Sequence, residues 1–237
     1  MSVTRTVREA VATCVWLLPA SRTKNSLLRG LGADVHPTAR VRPNLVRNVG
    51  RITIGPGARI DAGNVIKGLR ALTLSQGASI GRFNLISSHP AYRKHLAGGA
   101  CVELDEQATI SSRHTIDCAG SLRLETGAMI AGHGSTVLTH SLDLRRNAQT
   151  AYPVVVGANT FVGAHCLLLA GATMPPRSVL AAGSVLTKTT QQRDPGLWAG
   201  VPAIRKGDVS GEWFTRSGRG TRRVFVPATG EVVENAF

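Results

Sequence analysis

The sequence has few aromatic side chains and few acidic ones. Five Phe, three Trp and two Tyr make up 4% of the 237 residues, while 14 Asp and Glu oppose 28 Lys and Arg, for a net charge of +14. Half of that excess lies before residue 52. With little aromatic surface for stacking and no recognised binding module, a nucleic-acid partner is not expected. The charge predicts anionic partners: a phosphorylated cofactor, an anionic lipid surface or an acidic glycan.

The sequence also lacks cysteine motifs and long apolar runs. Cys14, Cys101, Cys118 and Cys166 show no CxxC or zinc-like spacing, which predicts reduced cysteines and a cytoplasmic protein. The apolar run at residues 10–18 is too short to cross a bilayer and is a weak signal peptide. We therefore expect a cytoplasmic protein, with contact at the inner face of the membrane as an open alternative.

What the sequence does contain is a six-residue repeat, clearest from Val156 to Thr189. An aliphatic residue or Met opens every unit, and a small residue follows four places later. This period matches neither a helix nor a flat strand and is typical of a parallel β-helix. An amphipathic helix is excluded, because Pro175 and Pro176 would each cost roughly 3 kcal/mol in a helix interior.

The repeat predicts six regular three-sided coils. The residues expected to point inward are Ile54, Ile60, Ile66, Leu74, Ile80, Ile86, Leu104, Ile110, Ile116, Leu124, Ile130, Thr136, Val156, Val162, Leu168, Met174, Leu180 and Leu186. Two long insertions, residues 92–103 and 142–155, leave the same corner two coils apart. Insertions on one side of a solenoid often form its binding face, so this corner is the predicted active site.

The predicted organisation has three parts. Residues 1–34 form a helical cap, with helices expected at 3–18 and 25–31; residues 35–190 form the solenoid; residues 191–237 form a C-terminal extension. Solenoids need capped ends, so we expect the helices to cover the first coil, with an interfacial membrane helix as the alternative. In the extension, residues 222–226 and 231–233 predict a small hairpin.

Five blocks then carry a resemblance to a known family. They are Thr139-His-Ser141, Pro153-Val-Val-Val-Gly157, Phe161-Val-Gly-Ala-His165, Ala182-Gly-Ser-Val-Leu-Thr-Lys188 and Ala199-Gly-Val-Pro-Ala203. Across residues 35–206 the chain resembles the hexapeptide-repeat acyltransferases, and within them the galactoside, maltose and polysaccharide O-acetyltransferases. The resemblance implies a left-handed coil, a homotrimer, and acetyl-CoA bound between neighbouring prisms for transfer to a sugar hydroxyl.

The resemblance also implies site residues. His140 matches the family's catalytic base, which precedes a protruding loop; a neutral imidazole can take a proton from an attacking hydroxyl. The acetyl-CoA positions that carry over are Ala164, Ala182, Thr187, Lys188 and Arg205. The chain departs from the family after Pro202, where it reads Pro-Ala-Ile-Arg-Lys, and before the base, where Ser-Arg-His114 replaces an asparagine.

Several residues are candidates for acceptor binding. We expect His114 and, in the second loop, Arg145, Arg146 and Tyr152 to contact the acceptor, because arginines and an aromatic ring suit an anionic sugar. Tyr92 and His95 belong to the first loop, and His89 precedes it. His133 and His165 are alternative candidates for the catalytic base. The six-residue count places both of them at turns, and it places His114 at a turn as well.

Alternative functions stay open, including a non-catalytic scaffold. Within the same fold, the acceptor could be a small molecule such as an antibiotic or an amino acid. A carbonic-anhydrase-like β-helix would need three zinc ligands across an interface, for which His133, His140 and His165 are candidates. The family blocks oppose that reading, so no metal is expected.

Overall fold

The structure is a computed structural model that describes residues 3–188, 194–216, 218, 220–221 and 223–236. Over these residues, parallel strands form three sheets that are the sides of a triangular coil. In sheet A the strands are Asp34–Val35, Arg51–Ile54, Ala71–Leu74, Cys101–Leu104, Leu122–Leu124, Val154–Val156 and Thr173–Met174. In sheet C they are Leu45–Arg47, Val65–Lys67, Leu85–Ser87, Thr115–Asp117, Thr136–Leu138, Leu167–Leu169 and Val185–Leu186.

Sheet B completes the triangle. Its parallel strands are Arg40–Val41, Arg59–Ile60, Ser79–Ile80, Thr109–Ile110, Met129–Ile130, Phe161–Val162, Val179–Leu180 and Leu197–Ala199, and the last of these turns back as the antiparallel strand Ile204–Gly207. The described residues therefore make seven three-strand coils. The first coil precedes the six regular ones that the repeat predicts; its Val35, Val41 and Val46 are buried although the repeat is irregular there.

The interior is a stack of aliphatic side chains in register. Along sheet A, for example, Ile54, Leu74 and Leu104 are direct partners, and each is at most 1% exposed. Alternation along a short strand sends one residue inward and its neighbours outward. The six-residue period therefore predicted this core.

The prediction that Thr136 points inward is wrong. Val137 is the inward residue, because it pairs with Ile116 below and Leu168 above and is fully buried. The corner at Gly132 and Gly134 contains one more residue than the matching corners, which shifts the register by one. Thr136 lies half-buried on the outer face.

The loops leave the corner between sheets C and A, as predicted. The first excursion joins Leu85–Ser87 to Cys101–Leu104 and contains helix α3, Pro90–His95. The second is a β-hairpin of His140–Asp143 and Ala148–Ala151. The predicted bounds were shifted toward the C-terminus, since residues 101–103 and 154–155 belong to sheet A strands.

The N-terminal helices close the open end of the coil. Helix α1, Val3–Leu17, contacts the first strand of sheet C, and helix α2, Arg22–Gly30, contacts the first strand of sheet A. Trp16 and Leu28 are buried in the same core as Val35. The buried ammonium of Lys24 donates to the carbonyls of Trp16, Leu18 and Arg42 at 2.7, 2.8 and 3.0 Å, which ties both helices to the first coil.

The C-terminal extension folds back on the outer face of sheet B. The 3-10 turn Glu212–Thr215 brings Trp213 edge-on to Phe161, with ring centroids 5.6 Å apart, and Arg216 stacks on the indole. The predicted hairpin is confirmed as Val224–Val226 paired with Glu231–Val233. None of the helices in the described ranges combines the length and apolar character that a membrane crossing requires.

Candidate functional site

A cleft of about 650 Å³ lies between the two loops at the corner of sheets C and A. Helix α3 forms one wall and the hairpin forms the other. The lining side chains include His89, Tyr92, His95, Asp117, His140 and Gln149. The cleft therefore joins residues from both predicted loops with the predicted base.

His140 forms a hydrogen bond with a carboxylate that also lines this cleft. Its Nδ1 lies 2.8 Å from Oδ2 of Asp117, and the imidazole is 41% exposed whereas the carboxylate is 19% exposed. A carboxylate accepts only, so Nδ1 carries the proton when the ring is neutral and Nε2 holds the lone pair. Among the described residues Nε2 has no hydrogen-bond partner, so it is free to accept a proton from a ligand.

Thr139 and the backbone fix the position of Asp117. The Thr139 amide donates to Oδ2 of Asp117 at 3.2 Å, and the Thr139 hydroxyl lies 3.0 Å from the same oxygen and 2.9 Å from the Asp117 carbonyl. The Gly120 amide donates to the Thr139 hydroxyl at 2.8 Å. Thr139 is fully buried, so the carboxylate is held by a rigid part of the corner.

Asp117 was not predicted from the sequence. It is the last residue of a sheet C strand and pairs with Leu138 of the next coil. His140 comes two residues after Leu138, so the side chains of Asp117 and His140 meet at the same corner. The signal was present: other sheet C strands end in Lys67, Ser87, Leu138 and Leu169, so an acid here is unusual. The role of Asp117 depends on its contact with His140, 23 positions later. The repeat count assigned His140 to a position one residue away from its true place in the coil.

Tyr92 bridges the two walls above His140. Its ring packs against the imidazole with centroids 5.8 Å apart, and its hydroxyl donates to Oε1 of Gln149 at 3.0 Å. Partial burial, and then the negative charge of Asp117, raise the pKa of Tyr92, so the phenol stays protonated at neutral pH. The bridge joins helix α3 to the hairpin.

The expectation that His114 contacts the acceptor is wrong. Its side chain is 2% exposed and continues a column of buried corner residues: Asn44, Asn64 and Asn84. Nδ1 accepts from the Ser135 amide at 3.1 Å, and Nε2 lies 3.0 Å from the Ser111 hydroxyl. Burial lowers the pKa of His114 to about 4. The histidine takes a place in the corner that asparagines fill in earlier coils.

His133 and His165 lie at a different corner from His140. Their rings contact edge-on with centroids 4.8 Å apart, at the corner between sheets B and C. His165 has a positive φ of 55°, the conformation that these tight corners need. The three histidines considered as zinc ligands therefore do not converge within one chain.

Arg145 and Arg146 lie at the tip of the hairpin, outside the cleft lining. The Arg146 guanidinium pairs with Asp143 at 2.5 Å, and both backbone amides donate to Asp143. These two arginines thus face the turn and solvent, and the structure does not bring them to His140.

The positions predicted to bind acetyl-CoA occupy two corners. Ala164 and Ala182 are stacked in successive coils at the corner of sheets B and C, where the Gly183 amide donates to the Ala164 carbonyl at 2.9 Å. Thr187 and Lys188 follow the last strand of sheet C, at the corner that also carries His140. Sheet C separates the two groups within one chain.

Two predicted cations have partners within the chain. The Lys188 ammonium lies 4.0 Å from the ring centre of Tyr152, a cation–π contact. Tyr152, predicted to bind the acceptor, is thus placed beside a predicted acetyl-CoA residue and not in the cleft lining. The Arg205 guanidinium donates to the Pro195 carbonyl at 2.9 Å and pairs with the exposed Asp208.

Comparison with solved structures finds chains of the same fold. The polysialic acid O-acetyltransferase OatWY aligns with a TM-score of 0.52 and 16% identity, covering 74% of this chain and 84% of that one. A variant of AntD, an N-acyltransferase from Bacillus cereus in complex with dTDP-4-amino-4,6-dideoxyglucose and coenzyme A, aligns with a TM-score of 0.50 and 14% identity, covering 82% and 92%. No protein-family model and no curated protein sequence matches the chain. At these identities the likeness concerns the fold, and it confirms the predicted left-handed parallel β-helix.

Proposed function

We propose that this protein is an acetyl-CoA-dependent O-acetyltransferase that acts on a sugar hydroxyl. The observation that carries the proposal is the His140–Asp117 pair in a cleft between two loops, with Nε2 of His140 free to accept a proton. The fold that the chain shares with a polysialic acid O-acetyltransferase and a coenzyme A-bound sugar N-acyltransferase supports it. The five sequence blocks resembling the hexapeptide-repeat acyltransferases support it independently.

In the proposed reaction the acceptor hydroxyl attacks the thioester carbonyl directly. Nε2 of His140 takes the hydroxyl proton as the new C–O bond forms, and the resulting imidazolium is stabilised by Asp117. Breakage of the C–S bond then releases the thiolate of coenzyme A, which recovers the proton from His140. General-base assistance of this kind contributes about 10²- to 10⁴-fold in rate.

We propose that the active form is a trimer assembled through sheet C. The outer face of this sheet carries apolar side chains at least partly open to solvent: Leu45, Val65, Leu85, Leu138, Leu167 and Leu169. Ala164 and Ala182 lie at one edge of sheet C and His140 lies at the other. A cyclic contact through this face would bring the alanine corner of one copy to the histidine corner of the next.

Acetyl-CoA would then lie in the seam between copies. Small side chains at Ala164 and Ala182 leave the coil backbone open to the pantetheine arm, while Lys188 would meet a phosphate group. Arg205 would reach the cofactor only by exchanging its contact with Asp208, which is 93% exposed. Lys188 is therefore the stronger candidate of the two.

The test is an acetyl-CoA consumption screen against glycans, nucleotide sugars and small alcohols, with mass detection of the acetylated product. We expect acceptor-dependent thiol release in the wild type and its loss in His140→Ala. His133→Ala is the matched control and should retain activity. If no acceptor class is acetylated, or if His133→Ala and not His140→Ala is inactive, the proposal is wrong.

A further inference from the structure

The early coils carry an unusual surplus of positive charge. Between residues 40 and 95 there are ten arginines and lysines and a single carboxylate, Asp61. Asp61 pairs with Arg42 at 3.5 Å on the corner of sheets B and C. The remaining cations of this segment therefore have no carboxylate within the segment to neutralise them.

Part of this charge is aligned with the cleft. Arg47, Lys67, Ser87 and Asp117 end four successive strands of sheet C and are direct register partners. Adjacent strands are about 4.8 Å apart, so an exposed cation projects from each of the first two coils, in line with the carboxylate that holds His140. Arg51, also exposed, begins the sheet A strand just past the corner after Arg47.

The first loop connects this row to the cleft. Tyr92 and His95 of helix α3 line the cleft, while Arg93 of the same helix lines a second groove of about 560 Å³ on the other side, together with Arg47. Arg93 is held there by hydrogen bonds to the backbone and side-chain oxygens of Asn48 at 3.0 and 3.1 Å. Glu9 of helix α1 is the acid that lines this second groove.

In the described part of one chain the cations of this row have no acidic partner. Arg47 and Lys67 share the outer face of sheet C with Leu45 and Val65 and end their strands at the corner that carries His140, so in the proposed trimer they line the seam between copies. In the described part of the chain, Arg47, Arg51 and Lys67 form no ion pair, and all three are exposed. By contrast, Arg70 is used to hold the first loop, since its guanidinium donates to the carbonyls of Arg93, Leu96 and Gly99. The fold thus uses Arg70 to hold the first loop and leaves Arg47, Arg51 and Lys67 beside it without an ion-pair partner among the described residues.

We propose that Arg47, Arg51, Lys67 and Arg93 form a cationic track that holds an extended polyanionic glycan whose end lies in the cleft at His140. The inference rests on the proposed acetyl transfer and names its acceptor class: a linear chain of several acidic sugars. The spacing between coils is close to the length of one pyranose unit, so successive charges of such a chain can meet successive coils. A flat membrane surface fits less well, because Arg93 is half-buried in a groove.

The test uses oligogalacturonates of increasing length, from disaccharide to octasaccharide, and their neutral methyl esters as probes of charge and length. Binding is measured with the His140→Ala protein, so that turnover does not enter. We expect affinity to rise with length for the charged series only. Arg47→Gln/Lys67→Gln should weaken binding of the octasaccharide about threefold to tenfold at low salt and flatten its salt dependence.

The matched control is Arg40→Gln/Arg82→Gln, which removes the same charge from exposed positions on sheet B and on the far corner. Three results would overturn the track. They are equal binding of charged and neutral chains, equal losses of binding in both double variants, and a change of assembly state in Arg47→Gln/Lys67→Gln. Selective loss of binding to phosphatidylglycerol vesicles, with oligosaccharide binding intact, would overturn it in favour of a membrane contact. Absence of acetyl transfer to every acceptor, with length-dependent binding intact, would instead refute the proposed function and leave the track standing.

Discussion

At the scale of single residues, the proposed chemistry depends on the contact between His140 and Asp117. The carboxylate holds the proton on Nδ1 and so presents the basic Nε2 to the cleft. Thr139 limits the freedom of that carboxylate through two contacts to the same oxygen. Asp117 is a positioning residue, since it acts through His140 and not on the acceptor.

Replacing Asp117 by Asn should reduce kcat by about 10²-fold or more, because an amide can donate to Nδ1 and stabilise the wrong tautomer. The Michaelis constant for acetyl-CoA should change little. Steady-state kinetics with a pH–rate profile checks this, with Asp117→Glu as the conservative variant expected to recover part of the rate. An unchanged kcat in Asp117→Asn, with the His140→Ala variant inactive, would remove Asp117 from the mechanism.

His114 makes a residue-scale prediction about stability. Its pKa is about 4 in the folded chain because of burial, and 6.5 is the ordinary value. Between these values the unfolded chain takes up a proton that the folded chain does not, so stability is lost as pH falls from 6.5 toward 4. The full loss is about 3 kcal/mol of unfolding free energy.

Replacing His114 by Asn should remove this acid sensitivity, because an asparagine extends the column formed by Asn44, Asn64 and Asn84 and can accept from the Ser135 amide. Urea unfolding of both proteins at pH 7 and pH 5 measures the difference. The prediction fails if the two proteins lose the same free energy between these pH values.

At the scale of elements, the two insertions act together. Helix α3 and the hairpin contact each other through the Tyr92 hydroxyl and Gln149. Tyr92→Phe should raise the Michaelis constant for the acceptor about fivefold, since a neutral hydrogen bond is worth about 1 kcal/mol, and should leave that for acetyl-CoA unchanged. Gln149→Leu should match it, and the double variant should be no worse than either. Additive losses would show that the two residues act separately.

The regular elements were predictable and the departures from them were not. A six-residue period follows from one inward side chain per face, which is why Ile54, Leu74 and Leu104 were placed correctly. Thr136 was misplaced because a one-residue insertion at a glycine-rich corner leaves no mark on hydrophobicity. The burial of His114 could not be predicted because its corner slot normally holds a small residue or asparagine, and only the stacked neighbours show that an imidazole fits.

At the scale of the whole molecule, the proposed active site needs more than one copy of the chain. His140 and the pair Ala164 and Ala182 lie on opposite edges of sheet C. If acetyl-CoA lies in the seam, each active site takes residues from two copies. His140→Ala and Ala182→Trp should then be inactive alone, yet recover about one quarter of the wild-type activity when subunits are mixed at random. If the mixed trimers recover no activity, the whole active site lies within one copy.

The contact between Lys188 and Tyr152 predicts how mutations at the acetyl-CoA end of the site affect the kinetics. Lys188→Ala and Tyr152→Leu should both raise the Michaelis constant for acetyl-CoA more than they lower turnover, because they act on a remote phosphate. Tyr152→Phe keeps the ring and should behave like the wild type. If Tyr152→Leu changes only the Michaelis constant for the acceptor, Tyr152 contacts the acceptor and not acetyl-CoA.

Single-turnover acetyl transfer measures whether the imidazole of His140 removes the acceptor proton. The rate is measured with saturating acetyl-CoA and acceptor in the wild type, in His140→Ala, and in His140→Ala with added imidazole. The role of His140 as general base predicts a loss of about 10²- to 10⁴-fold in the variant, unchanged acetyl-CoA binding, and partial recovery with free imidazole. A His140→Ala variant that transfers acetyl groups at nearly the wild-type rate would contradict it.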